Sequence, residues 1–341
     1  SNTCKALLPA EKKPHLFHGV GPFDPATGEI KKGSPGPPSY TSVFGQTLTD
    51  LAEKDDRIVA ITAAMLEGTG LAPFAEKFPG RCFDVGIAEQ HAVTYAAGMA
   101  TLGIKPVLAI YSTFLQRAYD NVLHDVCLQN LPVTFALDRG GLVGADGPTH
   151  HGVFDLSYLR HIPNLVFMIP RDENYLRHSM ATALAYDGPF AFRYPRGSGT
   201  GVAPEEPREL TIGKAEKLRD GTDGVIFAVG ALVEEALAAA EALVDEGLQV
   251  AVVDPVFLKP LDRDLLVAVA TDNGPVFTLE ENVLEGGFGS AVLEILCDAG
   301  VHVPVTRIGL PDKFVEQGSQ AELRSRYGID AAGVVKVIMK A

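Results

Sequence analysis

Short, nearly uninterrupted apolar runs alternating with segments of helical periodicity constrain this chain more than any other feature. Residues 57–62 (RIVAIT), 105–111 (KPVLAIY), 133–138 (VTFALD), 165–169 (LVFMI) and 190–194 (FAFRY) are such runs. A strand that is apolar on both faces must be covered on both, and a parallel sheet wrapped by helices does this. Between the runs, residues 40–54, 70–78, 88–103, 114–130 and 173–186 have helical spacing. The fold class expected is therefore α/β, with residues 39–200 forming a mainly parallel sheet flanked by helices. Gly197, Gly199, Gly201, Pro204 and Pro207 then break the pattern, as a linker does. A second series occupies 211–341, with strands at 225–230, 250–254, 276–280 and 305–308 and helices at 231–246, near 262–270 and near 287–299. It predicts a second, smaller domain of the same class. Residues 1–38 carry Pro9, Pro14, Pro22, Pro25, Pro35, Pro37 and Pro38 without any sustained period, and read as a linker or arm. A length of 341 residues, 46% of them hydrophobic, suits two cores.

A formal charge of −14 argues against nucleic acid or an anionic membrane as the main partner, leaving small molecules or proteins. Cys4, Cys82, Cys127 and Cys297 are scattered, with no Cys-x-x-Cys pair. That distribution fits a reducing, cytoplasmic setting better than a disulfide framework or a zinc site. No apolar run approaches the length of a membrane span, and no signal peptide is recognisable. The chain opens on Ser1-Asn2 and not on Met, which raises the expectation of a fragment or a processed chain.

The stretch Phe83-Asp84-Val85-Gly86-Ile87-Ala88-Glu89 carries a carboxylate from a strand-turn segment into the first turn of a helix. The small apolar residues that follow, from Ala92 to Ala100, suit a tightly buried helix. Glu89 could meet a cofactor there in a poorly solvated site and exchange a proton with it, its pKa raised toward neutral. It could equally be an acidic first-turn residue favoured by the helix dipole. Residues 141–152 (GLVGADGPTHHG) form a second constellation, a glycine-rich loop directly after a buried strand that bears Asp146 and His150. His150 could move protons or stabilise a developing oxyanion; the stretch also reads as an ordinary turn. A metal site at Asp146, His150 and His151 lacks a clear third ligand.

Arg117, Arg139, Arg193 and Arg196 lie near the same strand ends, where guanidinium groups could take a phosphate or pair with Asp120, Asp138 or Asp172. Arg139 and Arg196, in glycine-flanked turns, are the better candidates for an anion. Phe114 could stack on a flat heterocycle or belong to the core, and Tyr111 is equally open. Glu280 and Glu281, followed by Gly286-Gly287-Phe288-Gly289, resemble a strand-loop-helix turn whose glycines serve packing.

Together, FDVGIAEQHAVTYAAGMA, YSTFLQRAYDNVLHDVCLQN, GLVGADGPTHHGVFDLSYLRHIPN and FRYPRG resemble the 1-deoxy-D-xylulose-5-phosphate synthase family, thiamine-diphosphate enzymes related to transketolase. The resemblance implies a pyrimidine-binding domain over 39–200 and a transketolase-type C-terminal domain over 211–341. It implies that Glu89 hydrogen-bonds the cofactor's aminopyrimidine and promotes its ionisation, with Ile87 beside it and Phe114 stacked on the ring. Tyr111, Arg139, Asp146, His150 and Arg196 then line the substrate side, the arginines toward a phosphate, and His18 matches a histidine that reaches the reaction centre. The implied reaction joins pyruvate to D-glyceraldehyde 3-phosphate with loss of carbon dioxide, the entry to non-mevalonate isoprenoid synthesis. The implied enzyme is a homodimer.

The family also has an N-terminal domain that holds the diphosphate through Mg2+, with a Gly-Asp-Gly followed by Asn. This sequence contains no Gly-Asp-Gly. The expectation is that the chain supplies half of an active site, with Mg2+ ligands in an N-terminal domain outside it. Two other readings fit the layout: the β subunit of a 2-oxo-acid dehydrogenase decarboxylase, and a noncatalytic α/β scaffold that binds a partner domain.

Overall fold

The computed structural model describes residues 36–341 together with Glu11, Phe23, Asp24, Thr27 and Glu29. The first sheet is built from β1 (Ile58–Thr62), β2 (Cys82–Asp84), β3 (Lys105–Tyr111), β4 (Thr134–Asp138), β5 (Val166–Met168) and β6 (Phe190–Arg193), all parallel. Helices α1 (Tyr40–Ala52), α2 (Ala72–Lys77), α3 (Glu89–Ala100), α4 (Asp155–Leu159) and α5 (Glu173–Ala185) intervene. β3 explains the apolar runs: Leu108 and Ile110 pack in one core with Ala92, Val93 and Ala96 of α3. Val107 and Ala109 pack in another with Val43, Phe44 and Leu48 of α1. With both faces covered, a continuous apolar sequence is what the strand needs.

The second sheet comprises β7 (Glu216–Arg219), β8 (Val225–Ala228), β9 (Ala251–Asp254), β11 (Val276–Val283) and β12 (Val305–Leu310), in the order β12-β11-β8-β9-β7. Only β7, at its edge, runs antiparallel. Helices α6 (Leu232–Asp245), α7 (Arg263–Asn273), α8 (Phe288–Asp298), α9 (Gln320–Tyr327) and α10 (Ala331–Ile338) accompany it. Two mainly parallel, helix-flanked sheets are thus the fold class expected from the sequence. One strand crosses over: β10 (Phe257–Lys259) follows β9 in the chain but pairs antiparallel with β5, completing a seven-stranded first sheet ordered β10-β5-β6-β4-β3-β1-β2. Three residues are too few for periodicity to reveal such a strand.

The expected helix over 114–130 is helical without being one α-helix. It begins with α-helical Ser112–Leu115, tightens to 3-10 geometry over Gln116–Ala118, and widens to a π-helix over Val122–Cys127. Hydrophobic spacing identifies a helix and cannot resolve these local changes of winding. Among the described residues, no helix is long and apolar enough to cross a membrane.

In the first sheet the strand order reverses at β1, since the chain steps from β1 out to β2 and returns on the other side as β3. Open α/β sheets bind ligands in the crevice at the carboxyl ends beside such a reversal. The loops after β2, β3, β4 and β6 all open on that edge.

Candidate functional site

Asp84 ends β2, and its Oδ1 accepts the backbone N–H groups of Ala64 (2.8 Å) and Gly86 (2.9 Å). Gly86 has a φ of +71°, so the chain turns sharply and enters α3 with Glu89 as its first residue. Glu89 is buried, as expected of a carboxylate in a poorly solvated site. It is not left alone there: Arg117 Nη1 donates to its Oε1 at 2.5 Å. Arg117, a phosphate candidate by sequence, is therefore the partner of Glu89, and its guanidinium also lies 5.3 Å from the Phe114 ring centroid.

Phe114 stacks on Tyr111 with centroids 5.6 Å apart and planes 13° apart, and meets the edge of His150 at 5.5 Å. Arg139 lies over the other aromatic, 4.1 Å from the Tyr111 centroid. Burial pushes the Tyr111 hydroxyl up to about 12. Arg139 has a φ of +61°, an uncommon conformation for a side chain of this size and one that recurs at functional sites. Its Nη1 reaches Asp146 Oδ2 at 3.0 Å, and Arg196 Nη1 reaches the same oxygen at 2.9 Å. The two arginines singled out from sequence thus converge, with Asp146 between them. An unbroken series of contacts runs Glu89–Arg117–Phe114–Tyr111–Arg139–Asp146–Arg196, with His150 against Phe114.

The loop that carries Asp146 and His150 is closed at its base by paired backbone bonds between Gly141 and Gly152, 2.7 and 2.8 Å long. A Cβ on Gly152 would collide with the Arg139 carbonyl and with Ser112, so this approach requires glycine. His151 points inward: its Nδ1 accepts the Val143 N–H at 3.0 Å and its ring meets the Glu316 carbonyl. It is a structural histidine. His150 stays at the surface of the loop, 2.9 Å from Thr149 Oγ1. Among the described residues, no group of three or more His, Cys, Asp or Glu is placed to hold a metal ion.

Beneath the arginines, Asp138 closes β4 and is fully buried. Thr41 of α1 donates to its Oδ2 at 2.8 Å, while Oδ1 has no partner. Burial, opposed by Thr41, Arg139 and Arg196, pushes this carboxyl up to about 7. Tyr111 and Asp138 are register partners in the β3–β4 ladder, and Tyr194, just past β6, donates its N–H to the Leu137 carbonyl at 3.0 Å and feels the Asp138 charge. The Tyr194 hydroxyl is also buried without a partner and is held well above its usual range by burial. Sequence reading offered Asp138 only as an ion-pair partner; its position under the pair depends on register across three strands.

Other candidates separate from the site. Arg193 is buried in an ion pair with Asp155 and donates to the carbonyls of Gly152 and Glu281. Glu280 accepts the N–H groups of Phe288 (2.7 Å) and Gly289 (2.8 Å), so the glycine turn before α8 serves packing, as expected. Ile87 stands 80% exposed on the turn before Glu89. His18 lies outside the described residues. A planar heterocycle fits what is present: a buried carboxylate in hydrogen-bonding position, an aromatic pair, and an uncovered aliphatic side chain beside them.

Residues 36–200 match the family described as transketolase, pyrimidine binding domain, and residues 213–334 match transketolase, C-terminal domain. A 1-deoxy-D-xylulose-5-phosphate synthase of Syntrophotalea carbinolica is 65% identical over 331 residues, which cover 97% of this chain and 52% of that protein. One from Geobacter sulfurreducens is 60% identical over 332 residues, with coverage of 97% and 52%. The chain spans about half the length of the curated relatives it matches. Among solved structures, a split-gene transketolase described as an inactive β4 tetramer is 32% identical with a TM-score of 0.80, covering 90% of this chain and 98% of that one. A transketolase mutant from Pichia stipitis shares the fold at 17% identity and a TM-score of 0.73, covering 90% of this chain and 46% of its own.

Proposed function

The chain belongs to the transketolase family, and from that premise we propose that it supplies the pyrimidine-binding half of a thiamine-diphosphate site in a 1-deoxy-D-xylulose-5-phosphate synthase. The observation that carries this reading is the contact series from Glu89 to Arg196, which joins a buried proton-exchanging carboxylate to a paired-arginine anion site through two stacked aromatics. The assembled enzyme joins pyruvate to D-glyceraldehyde 3-phosphate and releases carbon dioxide. Thiamine diphosphate, when bound, supplies the electron sink for the decarboxylation.

Each residue of the chain has a task in this reading. Glu89, its carboxylate held by Arg117, would hydrogen-bond the aminopyrimidine and exchange a proton with it. Phe114 and Ile87 would hold the ring. Arg139 and Arg196 grip the aldehyde's phosphate, with Tyr111 backing Arg139 and Asp146 giving up its place between them. His150 moves protons at the reacting carbons, a task that the family resemblance also gives His18. Holding both reactants by such fixed groups turns a bimolecular addition into a positioned one.

The diphosphate and its Mg2+ then belong to an N-terminal domain beyond this chain, and the complete enzyme is a cytoplasmic homodimer. Two observations support a two-part site: relatives twice as long, and a split-gene relative whose tetramer is described as inactive. A β subunit of a 2-oxo-acid dehydrogenase decarboxylase is the weaker reading, since relatives at 65% and 60% identity carry the synthase name.

Glu89→Gln keeps the shape of the side chain and removes its charge. In the complete enzyme, hydrogen exchange at the cofactor's reactive carbon and turnover should both fall by roughly 10²-fold or more. Near-normal exchange would remove Glu89 from the chemistry and this reading with it.

A further inference from the structure

Two carboxylates face the arginine pair, and they differ in what they can do when an anion arrives. Asp146 lies on a surface loop between Gly144 and Gly147, whose φ values are +92° and +72°; it can yield the arginines and turn into water. Asp138 ends a central strand of the sheet, fully buried, with neighbours on every side. It cannot move out. Those neighbours are Thr41 on α1, Tyr111 on β3, Tyr194 after β6, and Arg139 and Arg196, whose charges act on it; Asp146 acts on the adjoining Tyr111. An ionised Asp138 presents Oδ1 as a negative oxygen without a hydrogen-bond partner, a costly arrangement that the Thr41 hydrogen bond, the Arg139 backbone and the two guanidinium charges together offset. Once a dianion occupies the guanidinium groups, their share of that offset is gone, and a carboxylate that cannot move responds by taking up a proton.

We propose that Asp138 is a positioning residue for Arg139 and Arg196, which balances their charge while the pair is free and takes up a proton when the pair binds a tetrahedral oxyanion. The inference rests on the reading of Arg139 and Arg196 as the phosphate site. It makes anion binding proton-linked: the affinity for a dianion falls as pH rises through the range in which Asp138 ionises. The balance is simple. One proton moves from solvent to Oδ1 of each Asp138 that is ionised when the dianion binds, and it is returned when the anion leaves.

Sulfate tests this cleanly, because it stays a dianion across neutral pH whereas phosphate titrates there. Calorimetry on the full-length protein without substrates, in buffers of different ionisation enthalpy, reads affinity and proton uptake together. For the unsubstituted protein, affinity should fall roughly tenfold between pH 6 and pH 8, with about half a proton or more taken up per sulfate at pH 7. Asp138→Asn, which keeps the shape and the Thr41 contact, should reduce that change to less than about threefold. Arg196→Ala should weaken sulfate about tenfold or more at every pH. If Asp138→Asn leaves the pH dependence and proton uptake intact while Arg196→Ala abolishes binding, the phosphate site stands and this inference is wrong. If Arg196→Ala binds sulfate as the unsubstituted protein does, the phosphate-site reading fails and takes the inference with it. A purely structural role for Asp138 predicts altered unfolding and unaltered proton uptake, and that result also overturns it.

Discussion

Glu89, Phe114, Arg139 and Arg196 were legible as candidates because their residue types stand beside strand ends in a chain whose strands announce themselves. What each one touches was not. Arg117 pairs with Glu89 across 28 positions of sequence, and no local pattern distinguishes that pairing from one with Asp120. Asp138 shows the same limit more sharply, since its environment is set by its register against Tyr111 and Tyr194. It also yields a prediction for stability. The carboxyl sits at about 7 in the fold against a usual value of 3.8, so between those values the folded chain holds a proton that the unfolded chain has lost. Folding stability should therefore fall as pH rises from about 4 to about 7, and level off above. Glu280, pushed up to about 7 by burial, and Asp254, pushed up to about 6, contribute with the same sign. Asp138→Asn should flatten the slope and stabilise the protein above pH 7 by on the order of 2 kcal/mol. Denaturant unfolding across that range checks it; an unchanged slope would place Asp138 outside the titration.

Elements were easier to read than contacts. β1, β3, β4, β5 and β6 were each signalled by an apolar run, because burial on both faces favours apolar side chains at successive positions. β10 and β2 were harder, at three residues each, and the crossing of β10 into the first sheet is a tertiary event. The mixed winding of residues 112–127 likewise exceeds what spacing encodes. Where α4 meets the first sheet, Asp155 binds Arg193 of β6, accepts from Ser112 Oγ at 2.8 Å, and accepts the Leu156 N–H at 2.8 Å. Both members of that ion pair are buried. Removing one strands the other's charge, so Asp155→Ala should cost about 3–5 kcal/mol. The midpoint of urea unfolding reads this directly, and a loss below about 1 kcal/mol would mean that Arg193 finds water or another acceptor.

At the scale of the molecule, the first and second sheets jointly shape the site's outer wall. Gln320, at the start of α9, donates to the carbonyls of Leu142 and Arg196 at 2.7 and 3.2 Å, clasping the loop and the arginine turn of the first sheet. Arg324 of α9 holds Glu281 at 2.8 Å beneath them. Periodicity could not reveal α9, whose polar composition gives it no amphipathic stripe; the signals that could have found it are the Ser319–Glu322 capping box and Gly328 at its end. The inner wall is different: Ile87 remains exposed on the turn before Glu89. In the proposed function this chain, about half the length of its relatives, is one part of a composite active site. Its most direct test mixes the chain with the separately produced upstream half, thiamine diphosphate, Mg2+, pyruvate and D-glyceraldehyde 3-phosphate, and measures carbon dioxide release. The account predicts release that requires both halves and is absent with either alone; release from this chain by itself, or none under any pairing of folded halves, would contradict it.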